Sequence, residues 1–279
     1  MIENEYALLR QRVFIDRQFD LSKYSEDYVK RRINARLFVL KIKKDNFAVY
    51  AEFLKKDPQE YVKLFDAFSI NVTEFFRDPP LWNTLRQKYF PRLIEEKKKN
   101  TLPNIKIWSA GCSTGEEPYS IAMLLEGLLP PGFSLSITAT DIDNDALEKA
   151  ARGVYDEAQL KNAGAVDKAI IKKYFCPVAD EKHKDLMKMK ITEGLKKYIT
   201  FRQGNFMSDA GPRMNDMVFC RNAMIYIARH AKELIFQKVY DSLVDGGLFI
   251  IGKSEILPVL QGTYKFGIEF QPEHIYRKI

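Results

Sequence analysis

Ile105-Lys-Ile-Trp-Ser-Ala-Gly111-Cys-Ser-Thr-Gly115-Glu-Glu-Pro118-Tyr-Ser-Ile-Ala-Met-Leu-Leu-Glu-Gly-Leu-Leu129 is the stretch on which the fold turns. It reads as a short strand over Ile105–Ser109, a glycine-bearing turn over Gly111–Gly115 and a helix over Glu116–Leu129. Pro118 falls in the first helical turn, where its missing N–H costs little. Glycines let the backbone approach a ligand closely, and the helix amino end presents free N–H groups and a positive dipole end. No Gly-Lys-Ser/Thr follows, so the turn is not a phosphate-cradling loop, and its spacing departs from Gly-x-Gly-x-x-Gly, which disfavours a dinucleotide.

Outward from this unit the same alternation continues. Leu135–Thr140 reads as a second strand, Asp143–Arg152 as a second helix, Met217–Cys220 as a buried strand, Arg229–Val244 as a helix and Gly246–Ile251 as another strand. Strands alternating with helices imply a mostly parallel α/β sheet, with ligand at the carboxyl ends of its strands. Between 168 and 202 the pattern breaks, and Met187–Ile191 with Tyr198–Phe201 reads as a small inserted strand pair. Asp141 closes the second strand. An acid there can accept from both hydroxyls of a ribose, worth about 1.5–3 kcal/mol for charge-assisted bonds. Asp143 or Asn144 is available as the helix cap, which leaves Asp141 for ligand. A glycine turn and a ribose acid without a phosphate motif point to S-adenosylmethionine, the usual adenosine cofactor lacking phosphate.

Before Gly111 the chain has no glycine and reads almost wholly as helix. Val29, Ile33, Leu37 and Leu40 share one face of a helix expected over Glu26–Lys44. Further helices are expected over Phe47–Lys55, Pro58–Phe68 and Leu81–Lys97. Arg32, Arg36 and Lys43 are spaced to share a face opposite the apolar stripe.

Composition sets the outer limits. The 279 residues are 46% hydrophobic and 29% charged, which excludes disordered and collagen-like classes. No apolar run nears the roughly 18 residues of a membrane span, and the amino terminus shows no leader. Three cysteines without a Cys-x-x-Cys fit a reducing, cytoplasmic setting. Net charge +7 and a pI near 9.1 bias the chain towards acidic partners without choosing one.

Five stretches together carry a resemblance. Asn71-Val-Thr-Glu-Phe-Phe-Arg77-Asp-Pro, Trp108–Ser120, Ala139-Thr-Asp-Ile-Asp143, Gly204-Asn-Phe206 and Phe219-Cys-Arg-Asn-Ala-Met-Ile-Tyr226 resemble, in order, the signatures of the CheR family of chemotaxis receptor glutamate O-methyltransferases. The resemblance implies a Rossmann-like S-adenosylmethionine methyltransferase sheet, an N-terminal all-helical domain and a small inserted antiparallel β-subdomain. Its expected boundaries are residues 1–78 for the helical receptor-docking domain, 79–103 for a helical linker and 104–279 for the methyltransferase domain, with the insert at about 168–202. It further implies cofactor contacts from Asn71, Thr73, Arg77, Gly111, Glu117, Asp141, Asn205, Phe206, Cys220 and Arg221. Phe206 stands where leucine is more usual. Arg77 and Tyr226 would face the reacting methyl, with Arg77 orienting the acceptor carboxylate. Phe75 and Phe76 would wall the site or simply pack in the core. The basic helix with Arg32, Arg36 and Lys43 would dock on acidic cytoplasmic helices of chemoreceptors.

The acceptor carboxylate is already ionised near neutrality, its ordinary pKa being about 4.3. No general base is needed, and His183, His230 and His274 all lie outside the motifs. Family members that bind a receptor C-terminal pentapeptide have a glycine-rich loop in the insert, but Phe175–Lys197 holds only Gly194; an enzyme working without the tether is expected. Two other readings compete. A nucleic-acid methyltransferase would carry an Asn/Asp-Pro-Pro-Tyr/Phe motif after the fourth strand, and Arg221-Asn222-Ala-Met has no proline. A cofactor-sensing adaptor would have lost Arg77 or Tyr226. The expectation is therefore a cytoplasmic monomer without metal, nucleic-acid partner or membrane insertion.

Overall fold

In the computed structural model, residues 2–68, 73–180, 187–257 and 264–279 are described, and the chain divides into two units. One comprises residues 1–70 and 224–234, the other 71–223 and 235–279.

The smaller unit is built on four helices, Ile2–Arg17, Glu26–Val39, Phe47–Lys56 and Glu60–Phe68. Val29, Ile33 and Leu37 of the second helix are fully buried with Leu9, Val13, Tyr50, Leu54 and Leu64 of the others, so the apolar stripe read from the sequence is a core face. The segment containing Tyr226 joins this unit by a backbone bond from Ser25 N to Tyr226 O (2.8 Å) and a bridge between Tyr24 and Ile227. The basic helix is shorter than expected. It ends at Val39, not Lys44, because Lys41 adopts a left-handed φ of +57° and Asn34 and Asp45 exchange hydrogen bonds of 2.7 and 2.9 Å across the turn. Lys43 is therefore not on the helix, and the shared face of Arg32, Arg36 and Lys43 does not exist.

The larger unit holds ten strands among the described residues: β1 (Asn104–Ala110), β2 (Ser134–Asp141), β3 (Val154–Tyr155), β4 (Phe175–Ala179), β5 (Met187–Ile191), β6 (Ile199–Gln203), β7 (Asn215–Cys220), β8 (Leu243–Ile251), β9 (Phe266–Phe270) and β10 (Ile275–Lys278). Seven form one sheet in the order β6-β2-β1-β7-β8-β10-β9. The pairs from β6 to β8 are parallel, and β10 runs antiparallel to both β8 and β9. Ile105, Ile107, Ile137, Phe219 and Ile250 lie fully buried in the core on this sheet.

Three strands, β3, β5 and β4, make a separate antiparallel sheet. Met187–Ile191 belongs there as expected, but Tyr198–Phe201 does not pair with it. That segment falls at and within β6, in parallel register with β2 from Ile137↔Ile199 to Asp141↔Gln203. The alternating apolar and polar residues of so short a strand do not declare which sheet it joins.

Residues expected as one helix over Leu81–Lys97 form Pro79–Thr84, a wider turn over Leu85–Tyr89 and Phe90–Lys97. The wide turn bonds Phe90 N to Leu85 O and lies just before Pro91, which lacks an N–H to continue the ladder.

Candidate active site

The turn after β1 is shaped by backbone that ordinary residues resist. Gly111 has φ +77° and Gly115, the N-cap of helix Glu116–Glu126, has φ +95°. A Cβ on Gly111 would stand 2.8 Å from the Ala223 Cβ, and one on Gly115 would stand 2.8 Å from the Ala150 Cβ. Gly111 N and Cys112 N both donate to Thr140 O at 2.8 and 3.0 Å, tying the turn to the end of β2. The Gly111 backbone thus lies free of any side chain of its own, as a cradle for a ligand requires.

Asp141 ends β2 with 9% of its surface exposed. Its Oδ2 accepts from Ser113 N (2.7 Å) and its Oδ1 from Asp143 N (3.0 Å). These donors do not take all of the roughly four lone-pair sites of the carboxylate. Asp143 itself caps helix Asn144–Arg152 by accepting from Ala146 N at 3.0 Å, one of the two caps that the sequence offered, so Asp141 is not needed for that task. Burial pushes the Asp141 carboxyl above its ordinary range, against the pull of the backbone donors. Beside it, Gly204 N donates to Asp141 O (2.9 Å), and Asn205 folds its own loop by accepting from Met207 N at its Oδ1 (2.9 Å). Phe206 is half-buried, its ring edge 3.8 Å from where a Gly111 Cβ would be.

A second cluster gathers across the carboxyl ends of β1 and β7. Glu117 Oε1 accepts from Ser109 Oγ (2.7 Å), and its Oε2 lies 3.4 Å from Arg221 Nη1. Arg221 Nη2 donates to Asp78 Oδ2 (2.7 Å) and to Arg77 O (3.0 Å), and Trp82 Nε1 donates to the same carbonyl (2.8 Å). The Arg221 side chain is 3% exposed and its Nε has no partner. Burial raises the Glu117 carboxyl, while the Arg221 charge opposes that rise. Phe76 N donates to Ser120 Oγ at 3.0 Å, which anchors the segment before Arg77 to the same helix as Glu117.

Strain concentrates here. Among the described residues nine non-glycines have positive φ, and Phe76 (+53°), Asp78 (+59°), Ser113 (+47°) and Asn222 (+60°) lie in or beside these clusters. For a phenylalanine that conformation is an outlier that only its surroundings can hold.

The sequence-predicted residues sort as follows. Gly111, Asp141 and Phe206 come together around the glycine turn, with Asn205 in the adjoining loop. Glu117, Arg221 and the backbone of Arg77 come together in the second cluster. The half-buried Thr73 lies in the short segment before them. Cys220 is fully buried, which leaves its backbone as the part able to meet a ligand. Phe75 and Phe76 are core residues: Phe75 packs edge-on against Tyr155 and Phe175 at 4.8 and 5.2 Å, and Phe76 against Trp82 at 5.5 Å. Asn71 lies outside the described residues. Tyr226 belongs to the helical unit, where its ring stacks on Tyr28 at 4.3 Å with Arg31 5.8 Å above it. Of the basic residues expected to dock a partner, Arg36 is committed internally, bonded to buried Glu60 at 2.7 and 2.9 Å. Arg32 lies 5.2 Å over the Tyr28 ring, and Lys43 is exposed.

Sequence reading missed Glu255. It is 2% exposed, and its Oε2 accepts from Asn222 N and Gly252 N, both at 2.8 Å, joining the chain just beyond β7 and β8. The signal was an acid four residues past the end of an apolar strand, in Gly252-Lys-Ser-Glu255. A cleft of about 370 Å³ lies at the other ends of β7 and β8. Its cations are paired, Lys97 with Asp216 (2.6 Å), Arg92 with Glu96 (2.9 Å) and Arg277 with Glu269 (2.7 Å), and it takes no part in this site.

Comparison with known proteins decides the kinship. Residues 71–271 match the family model described as CheR methyltransferase, SAM binding domain, and residues 4–69 match the CheR methyltransferase all-alpha domain. The chain belongs to the CheR methyltransferase family. It is 32% identical over 254 residues to the chemotaxis protein methyltransferase of Listeria innocua, covering 91% of this chain and 90% of that one. To the chemotaxis protein methyltransferase of Borreliella burgdorferi it is 31% identical over 277 residues, 94% of each chain. That of Vibrio parahaemolyticus is 35% identical over 221 residues, 76% of this chain and 74% of the relative.

As a CheR-family protein the chain is an S-adenosylmethionine-dependent methyltransferase of chemotaxis. The residues present suit that cofactor: a side-chain-free cradle at Gly111, a buried acid with a spare lone pair at Asp141 and a half-buried carboxylate at Glu117 for a cationic ligand. No helix among the described residues is long and apolar enough to cross a membrane.

Proposed function

We propose that this chain transfers the methyl group of S-adenosylmethionine to glutamate side chains on the cytoplasmic helices of chemoreceptors, forming methyl esters. One observation carries the reading: the Arg77 backbone is fixed by Arg221 and Trp82 in the cluster that contains Glu117, which sets a guanidinium-bearing residue near a half-buried carboxylate. The cofactor supplies a methyl carbon activated by a sulfonium. Asp141 receives the ribose hydroxyls, the Gly111 backbone lies against the ligand, and Glu117 faces its cationic end. Thr73, Asn205, Phe206 and the backbone of Cys220 and Arg221 complete the binding surface.

Arg77 holds the acceptor carboxylate by its planar fork. An ionised carboxylate needs no proton removed, so alignment is the main source of rate. Attack of an anion on a sulfonium cancels charge, which favours a site that excludes water.

Transfer of tritiated methyl to receptor-containing membranes, run beside DNA and RNA, tests this reading. Base-labile label in the membrane protein is the expected result; base-stable label, or label in nucleic acid, overturns it. With only Gly194 in the insert, the enzyme works without a tether, and calorimetry with a receptor C-terminal pentapeptide should register no tight binding.

A further inference from the structure

We propose that Arg221 is a positioning residue, a strut whose one guanidinium sets both the Glu117 carboxylate and the Arg77 segment. The inference rests on the cofactor role given to Glu117 above. Resemblance places Arg221 among the cofactor contacts, but its side chain is 3% exposed and is spent on protein groups. Nη1 faces Glu117, while Nη2 holds Asp78 and the Arg77 carbonyl. Residues 76–78 need such a restraint, because Phe76 and Asp78 both sit at positive φ and relax without ties to their neighbours. A planar fork reaches acceptors on two sides at fixed angles, which an ammonium on a flexible stem does not reproduce. The Glu117 contact at 3.4 Å is long and Nε is unpartnered, so the strut holds geometry without saturating the carboxylate and leaves Glu117 Oε2 able to meet a ligand cation.

The charge of the strut has a separate consequence. Facing Glu117 are the Ser109 hydroxyl from β1, Arg221, the Glu255 carboxylate and the thiols of Cys112 and Cys220. Burial and Glu255 push the Glu117 carboxyl up, and Arg221 pushes it down. Without Arg221 the carboxyl takes up a proton at higher pH than in the native protein, and a protonated Glu117 no longer attracts a cationic ligand.

Calorimetric binding of S-adenosylhomocysteine to the full chain is the test, expressed as the ratio of variant to native affinity between about pH 6 and about pH 8. For Arg221→Gln the ratio should be about tenfold or more below one at the acid end and climb towards one as pH rises. A merely structural loss would lower the ratio equally at every pH, and that result overturns the proposal. Asp78→Asn removes the charge at the other end of the strut, at a side chain 29% exposed, with unfolding near the native midpoint by circular dichroism as the control for folding. It should reduce kcat about tenfold while S-adenosylhomocysteine affinity stays within about threefold; an unchanged kcat also overturns the strut. Glu117→Gln separates the two readings. If it binds S-adenosylhomocysteine as the native protein does, the cofactor role of Glu117 falls and the strut with it. If it binds weakly while the Arg221→Gln ratio is flat with pH, the strut alone falls.

Discussion

Each of the two units buries an arginine against carboxylates, and the two sites are built differently. In the helical unit Arg36 meets Glu60 through Nε and Nη2, Tyr50 donates to the same carboxylate at 3.0 Å, and Glu60 is fully buried. The fork matches one acceptor. In the methyltransferase unit Arg221 divides its fork between Glu117, Asp78 and a carbonyl, leaves Nε unpartnered, and lies among residues of positive φ. A saturated pair serves packing, whereas a shared, strained and under-satisfied one is the kind of arrangement found where proteins receive ligands. Arg36 and Arg221 look alike in composition and differ in what remains to be satisfied.

Four experiments break or sharpen that contrast. Glu60→Gln should cost about 3–5 kcal/mol of stability in the helical unit, nearer the lower figure because Arg36 keeps 15% exposure, and should leave S-adenosylhomocysteine affinity unchanged. Denaturant unfolding followed by circular dichroism, with calorimetry alongside, measures both. Arg77→Ala should do the reverse, lowering methyl transfer about a hundredfold in a protein that unfolds near the native midpoint; transfer close to native levels would remove Arg77 from the chemistry. Asp141→Ala should weaken cofactor binding by about 1.5–3 kcal/mol through lost charged hydrogen bonds, and unchanged affinity by calorimetry would give Asp141 another role. The smallest effect is expected from Lys43→Glu, a loss of about two- to fivefold in kcat/KM for receptor that fades as salt rises. A loss insensitive to salt would point to a local structural fault instead of docking.

What the sequence disclosed and what it hid follow the reach of the forces involved. The strand, glycine turn and helix at 105–129 were legible because their signals are local: apolar alternation, glycines at positive φ and an early proline. The Asp143 cap was legible for the same reason, since a helix cap is decided within three residues. Arg36 and Arg221 were not, because their partners lie 24 and 104 residues away in the chain, and a spacing pattern cannot say which charges are spent on the protein itself. The early end of the basic helix was hidden because Lys41, neither glycine nor asparagine, takes the left-handed turn. β6 was assigned to the wrong sheet because five residues carry too little pattern to choose a partner, and β9 and β10 at the far edge went unread.

The two tryptophans give the molecule an uneven optical label. Trp82 and Trp108 both lie in the methyltransferase unit, each almost wholly shielded from water, and the helical unit has neither. Intrinsic indole emission therefore follows the melting of one unit and is blind to the other. Because the Trp82 ring N–H is anchored on the Arg77 carbonyl, a Trp108→Phe chain would carry a single fluorophore wired to the strained backbone at 76–78.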